Sequence, residues 1–483
     1  MHIASRVVLG SVMLLGACAV GPDYKRPDTP MPVAWKLEAP FREGAPADVA
    51  NRGAWWLRFD DAPLDQLERL AVANNPTLEL ANARLTQARA VVSATSSSLF
   101  PQVGLGTRAQ RFRISEDRPV TNYNTQNFST VQNDLVAQMS VNYEVDLAGR
   151  VQRSVEGVRA SAEQTAADLH NTLLLVTTDL ATAYFNLRSL DTELDVVQRS
   201  VELQRRALDL VTSRHDLGAT SGLDVAQQQS LLDTTLVQID LLRRQRSQFE
   251  HAIATLTGTP APSFEVVADL RDRTPPPVPI GIPSDILERR PDVASAERAM
   301  AVANAQIGIA TSAFYPSIVL GASYGSESST LSNLFNAPSM LWSLGVSASQ
   351  VLFDAGRLRA NVDFARAGYV GTTASYRRVV LNAMQEVEDG ITGMASLERA
   401  AAQSATAVES SRRVLDMAMT RYEGGATNYF DVIAAQQTLL TVERQSAQLL
   451  GQRMLTSVFL IKAVGGDWQR NQSLAEATAP APR

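Results

Sequence analysis

The chain has 483 residues, of which 19% are charged and 6% aromatic, with a formal net charge of −6. That balance leaves no basic surface for nucleic acid, and so few aromatic residues do not furnish one large compact core. The length has room for two or more domains, and beyond the first segment no run approaches the ~18 apolar residues of a membrane-crossing helix.

Residues 1–17 read as a secretory signal, with Arg6 ahead of a short apolar stretch, Val7 to Leu15. Leu15-Gly16-Ala17-Cys18 resembles the lipobox of bacterial lipoproteins, in which the cysteine is acylated and becomes the first residue. Cys18 is the sole cysteine, so no intrachain disulfide competes for it. The alternative is an ordinary signal with an incidental cysteine. A covalent lipid would add ~0.8 kcal/mol of membrane affinity per buried CH₂; no other cofactor is expected. Ala19 follows where the inner-membrane retention signal of such lipoproteins has Asp, which by the same resemblance implies the outer membrane.

Residues 18–60 form a proline-rich N-terminal segment that ends in Trp55-Trp56 and Phe59. The tryptophan pair reads as packing against a neighbouring layer, with ligand stacking as the alternative. A first repeat, 61–258, opens with helices at about 62–74 and 76–99. The period then changes to two, predicting strands at about 102–112 and 135–145 around a polar loop. A rod at 151–217 and a helix at 223–257 complete the repeat. Residues 259–283, with Pro275-Pro276-Pro277, read as an irregular crossover. The second repeat, 284–466, predicts a helix at 291–313, strands at about 317–325 and 341–350, a rod at 357–422 and a helix at 430–464. A tail, 467–483, follows.

An offset of 207 residues separates Arg214 from Arg421, Asp224 from Asp431, Gly149 from Gly356 and Gly258 from Gly465. One register held that far marks an internal duplication. In the first rod Leu169, Leu173, Val176, Leu180, Ala183 and Leu187 begin a four-three alternation that continues to Val211, with Gln204 at one of its positions. A sustained heptad predicts a left-handed supercoiled helix, here ~95 Å long. The second rod has smaller seam residues, such as Gly390, Ala401 and Ser404, which predict closer backbone approach. In each half the two shorter helices nearly match the rod when laid end to end, as a tube wall of even height requires.

Each predicted strand is apolar on one face and small or polar on the other, the pattern of a lipid-facing, water-lined transmembrane strand; a soluble strand pair is the alternative. Four strands do not close a barrel, and open edges in hydrocarbon cost several kcal/mol per unpaired backbone group. Several copies must therefore share one barrel. Two would give eight strands, nearly filled by side chains, so a conducting pore favours three copies and twelve strands.

The stretch Pro283-Ser284-Asp285-Ile286-Leu287-Glu288-Arg289-Arg290-Pro291-Asp292 resembles the signature of the lipoprotein branch of TolC-like outer-membrane factors, the OprM and NodT type of drug-efflux outlet. Gly21-Pro22-Asp23-Tyr24, Trp55-Trp56, Phe314-Tyr315-Pro316, Val145 to Arg150 and Phe353 to Arg357 carry weaker matches, and together they cover nearly the whole chain after the signal. The resemblance implies a mainly α fold with transmembrane β: a homotrimeric twelve-stranded barrel in the outer membrane, continued by a long periplasmic α-helical barrel with a mixed α/β equatorial region. It implies a passive exit duct for small toxic molecules or drugs from the periplasm to the exterior. The partners implied are a periplasmic adaptor and an inner-membrane transporter of the resistance-nodulation-division type.

The resemblance also places the rod turns at the periplasmic tip, where the adaptor docks; Arg214 and Gly218 match in one turn, Arg421 and Gly425 in the other. The residues themselves predict glycine stops at Gly218 and Gly425. Asp224 and Asp431 are expected to complement the next helix dipoles, and Arg214 and Arg421 to sit in last turns where cations are favoured anyway. Asp209 and Asp416 correspond across the duplication and are candidates for a tip constriction. No catalytic constellation appears, no metal spacing suits the four scattered histidines, and an enzyme is not expected. Type I protein secretion or metal-ion efflux would keep the fold and change the cargo. A periplasmic coiled-coil scaffold would need no amphipathic strands.

Overall fold

The computed structural model describes residues 19–26, 32, 35–36, 54–113, 131–271, 273–278 and 289–466. The expected signal, Cys18, the loop after the first strand, residues 283–288 of the signature and the tail 467–483 lie outside the described residues. In chain order the longer elements are α1 (Ala62–Asn74), α2 (Pro76–Ser96), β1 (Gln102–Arg113), β2 (Val131–Val145), α3 (Arg150–Asp216), α4 (Gly222–Leu256), α5 (Pro291–Ser312), β3 (Ser317–Ser328), β4 (Met340–Ser349), α6 (Arg357–Glu423) and α7 (Tyr429–Ala463). β2 begins at Val131 and β3 runs to Ser328, beyond their expected limits of 135 and 325, because pairing to Arg113 and Leu135 extends the ladder past the alternating stretch. None of the described helices is long and apolar enough to cross a membrane.

The chain divides into two compact units. One comprises Met1–Pro27, Thr86–Gln164 and Ala296–Tyr376; the other comprises Asp28–Leu85, Thr165–Ser295 and Arg377–Arg483. The first contains the whole sheet, an antiparallel meander in the order β1-β2-β3-β4. The two halves of the duplication meet at its centre, where β2 pairs with β3. Beside the sheet, Ala19 to Arg26 runs as a strap. Val20 N–H donates to the Ala148 carbonyl at 3.0 Å. The Arg153 side chain, 5% exposed, donates to the Gly21 carbonyl at 3.3 Å and to Asp23 at 2.8 Å. Tyr24 OH donates to Glu297 at 2.8 Å. Gly21, at φ +100°, lies so close to Gly308 that a Cβ on it would fall 2.7 Å from the Gly308 Cα.

The second unit is helical. Along α3 the seam is fully buried at Leu180, Leu187, Val197 and Val211. One apolar cluster gathers Leu190, Val197 and Val201 with Leu232, Ile239 and Leu440; another gathers Val211 and Leu415 with Tyr422, Tyr429 and Val432. The α6 seam behaves in two ways. At Gly390 the backbone does approach closely, with a would-be Cβ 2.8 Å from Leu460. Farther on, Ala401 and Val408 border an open groove of about 350 Å³ instead of a close contact, because the small side chains leave the space unfilled in a single chain.

Two end-to-end helix junctions lie in this unit. In the first half α4 ends at Leu256 with Thr257 as its C-cap, and the following Gly258 adopts φ +69°. Asn75, the residue before Pro76, then serves both helices. Its Nδ2 donates to the Leu256 carbonyl at 2.8 Å, and its Oδ1 accepts from Thr77 N–H at 2.8 Å. In the second half Arg290 donates to the Ala463 carbonyl at 2.9 Å, while Asp292 accepts from Val293 N–H at 2.9 Å. Arg290 is also paired to Asp292 at 2.7 Å and to Glu386 at 2.6 Å.

The crossover is held against α3 and α4 by buried charges. Asp191 accepts from Arg188 at 2.9 Å and from Arg246 at 2.7 Å, and Arg188 also donates to the Val267 carbonyl at 2.6 Å. Trp55 and Trp56 are buried, and Trp55 Nε1 donates to Thr177 at 3.1 Å. That is a packing role, as the simpler reading of the pair expected.

Candidate channel wall and helix-turn tips

Cross-strand register decides what each face of the sheet presents. Leu105, Met139, Tyr324 and Trp342 form one row; Val141, Ala322 and Leu344 belong to the next, and Tyr143, Leu320 and Val346 to the one after. All lie on one face, because the side-chain period of a strand is two. The opposite face carries the rows Gly106, Gln138, Gly325 and then Gly104, Ser140, Ser323, Ser343. Ser323 and Ser343 are hydrogen-bonded across strands at 2.8 Å. Leu105, Trp342, Leu344 and Val346 are each more than 70% exposed, so the apolar face is uncovered in a single chain. β1 and β4 are the open edges of the sheet. Toward the outer end of the sheet, Asp134 accepts from Arg108 at 2.7 Å and from Gln110 at 2.9 Å on the polar face.

The helix turns lie in the second unit. Gly218 and Gly425 adopt φ +72° and +71°, the left-handed conformation that stops a helix. In both turns the reversal is closed by a 2.8 Å bond, from Ala219 N–H to the Arg214 carbonyl and from Ala426 N–H to the Arg421 carbonyl. Ser221 caps α4 in a capping box with Asp224, and Asn428 caps α7 by accepting from Asp431 N–H at 3.3 Å. Both aspartates also accept from a threonine hydroxyl, Thr220 or Thr427. They are therefore engaged in capping.

The two arginines diverge. Arg214 reaches out of its own turn to the end of α6, donating to the Tyr422 and Glu423 carbonyls at 3.2 and 3.1 Å. Its guanidinium lies 4.9 Å from the centre of the Tyr422 ring. Arg421 is exposed, and among the described residues its guanidinium has no hydrogen bond or ion pair. Asp209 and Asp416 are exposed as well, and the structure brings neither of them to either arginine. Their main-chain carbonyls accept from Ser213 and Thr420, each at 2.9 Å.

Behind the turns is a buried polar network. Tyr429 OH donates to Gln228 at 2.9 Å, and Gln228 Nε2 donates to the Gln204 carbonyl at 3.0 Å. Burial, with the nearby Tyr422 and Asp224, pushes the Tyr429 phenol well above its usual range. Periodicity alone did not single out this network. Its one signal was Gln204, a polar residue at a heptad position.

A family model described as outer membrane efflux protein matches residues 67–259 and 282–466. The toluene efflux pump outer membrane protein TtgF of Pseudomonas putida is 30% identical over 466 residues, covering 95% of this chain and 96% of that protein. The pyoverdine export outer membrane protein OpmQ of Pseudomonas aeruginosa is 28% identical, covering 98% of each. Among solved structures, the outer-membrane channel OprN superposes with a TM-score of 0.84 at 29% identity, covering 93% of this chain and 99% of that one.

Proposed function

This chain belongs to the outer membrane efflux protein family, and we propose that three copies of it close their sheets into one twelve-stranded barrel. It is the outer-membrane channel component of an efflux pump. The observation that carries the trimer is the two-faced, four-stranded sheet with open edges at β1 and β4. One copy leaves both edges unpaired, which hydrocarbon does not tolerate. Pairing β1 of one copy to β4 of the next removes every edge and turns the glycine- and serine-rich face toward water.

The rods continue the duct into the periplasm. Arg421 and the exposed parts of the two turns, with Gly218 and Gly425 shaping them, form the docking surface for a periplasmic adaptor. Asp209 and Asp416 line the narrow end. An inner-membrane transporter of the resistance-nodulation-division type supplies the energy, and the chain itself does no chemistry. Cys18 carries the lipid. The relatives named for toluene and pyoverdine support small organic cargo.

Two measurements test this reading. In a strain lacking redundant outlets, deletion is expected to raise susceptibility to toxic small molecules, and unchanged susceptibility counts against efflux. The mass of the detergent-solubilised protein is expected to be three chains, and a monomer with no bilayer conductance overturns the barrel.

A further inference from the structure

The polar face of the sheet is not uniform. The row nearest the helices holds Glu144, which Arg150 neutralises at 2.6 Å; the three rows beyond it, from Gln102 and Asn142 up to Gly106 and Gln138, carry no charge and hold several glycines and serines. The next row outward is different: Arg108 pairs with Val136, and Val136 pairs with Glu327. One step farther, Asp134 is 8% exposed and takes the Arg108 guanidinium at 2.7 Å. Arg108 and Asp134 thus neutralise each other. Glu327 is exposed, and among the described residues its carboxylate has no hydrogen bond or ion pair.

We propose that Arg108, Asp134 and Glu327 form a charged collar at the outer mouth, and that the unneutralised Glu327 carboxylate gives this exit a preference for cations. The inference rests on the three-copy barrel. Each chain contributes a formal excess of one negative charge to the collar, so closure gathers three. The strand wall there is low in dielectric, which focuses the field of such charges and concentrates counter-ions at the mouth. The small-residue rows below make the middle of the sheet wide and electrically neutral. Past the neutralised Glu144–Arg150 pair, a cation leaving the duct therefore meets one zone of unneutralised charge on this face among the described residues. A multivalent cation added outside is held at the same place.

The full-length protein, reconstituted in planar bilayers with its orientation fixed by one-sided addition, tests this with hexamminecobalt(III) as the probe. The trivalent cation is expected to block from the strand-loop side. Glu327→Lys is expected to weaken that block by roughly tenfold and to leave block from the helix side unchanged. Arg108→Gln, which frees Asp134, is expected to strengthen loop-side block. If Glu327→Lys does not assemble, the near-isosteric Glu327→Gln must show the same direction. Loop-side block of equal strength in a Glu327 variant with wild-type conductance overturns the collar alone. A wild-type preparation that opens no conductance overturns the barrel, and the collar with it.

Discussion

At the junction of the first half one amide, that of Asn75, faces both helix ends, its nitrogen on α4 and its oxygen on α2. At the matching junction of the second half the same two tasks fall to two charged residues, Arg290 on α7 and Asp292 on α5. The orphan groups are identical: carbonyls at one helix end, N–H groups at the other. Duplication preserves the demand made by the backbone and leaves the side chains free to change. The tip turns repeat the lesson. Gly218 and Gly425 keep nearly the same φ, while Arg214 is committed to the end of α6 and Arg421 faces solvent.

The largest effect should come from the charged junction. Arg290→Ala leaves Glu386, Asp292 and the Ala463 carbonyl without their cation, and is expected to cost about 3 kcal/mol in urea unfolding of the detergent-solubilised protein. Asn75→Ala orphans one donor and one acceptor and should cost about 2 kcal/mol. If Asn75→Ala proved the more damaging, the view that the charged version carries more of its junction would fail.

Glu68 sharpens the contrast between engaged and idle charge. It is fully buried, and both of its carboxylate oxygens lack a partner among the described residues. Burial, then the charge of Asp65, holds its carboxyl well above the usual carboxylate range. The folded state therefore keeps a proton that the unfolded chain releases. The sign follows: stability is fully present below the unfolded pKa and falls as pH rises toward the folded value. Glu68→Gln should remove that fall, which unfolding midpoints compared across pH would reveal; a profile parallel to wild type would show that Glu68 finds a counter-charge.

At the tips the effects are smaller and local. Arg214→Ala is expected to cost about 1–2 kcal/mol and to speed amide exchange at the α6 end. Arg421→Ala should stay within about 0.5 kcal/mol and act instead on adaptor affinity. Equal exchange in both variants would erase the distinction between the two arginines.

Much of this was legible in residue order. The heptad seam, the period-two strands and the glycine stops all report local backbone demands, and those survive in a linear reading. The 207-residue offset made the duplication plain. Partners set by tertiary approach were less visible. Nothing in the spacing of Arg214 says that it spans to Tyr422, and Asn75 before Pro76 reads only as a helix boundary. The added length of β2 also escaped alternation, since Gln132, Asn133 and Asp134 pair by ladder geometry rather than by hydrophobicity. The strap contacts of Arg153 link residues far apart in the chain, with no periodic trace.

The central pairing of β2 with β3 carries a kinetic consequence. Each hairpin closes over a short span, whereas the seam between them closes about 170 residues, at a loop-entropy cost about 2 kcal/mol above that of the first hairpin. Long-range pairing of this kind is slow. The two hairpins would therefore form early and separately, and the complete four-strand stave would appear only after the intervening helices had brought its halves together. A stave made that late arrives at the membrane already attached to its rods.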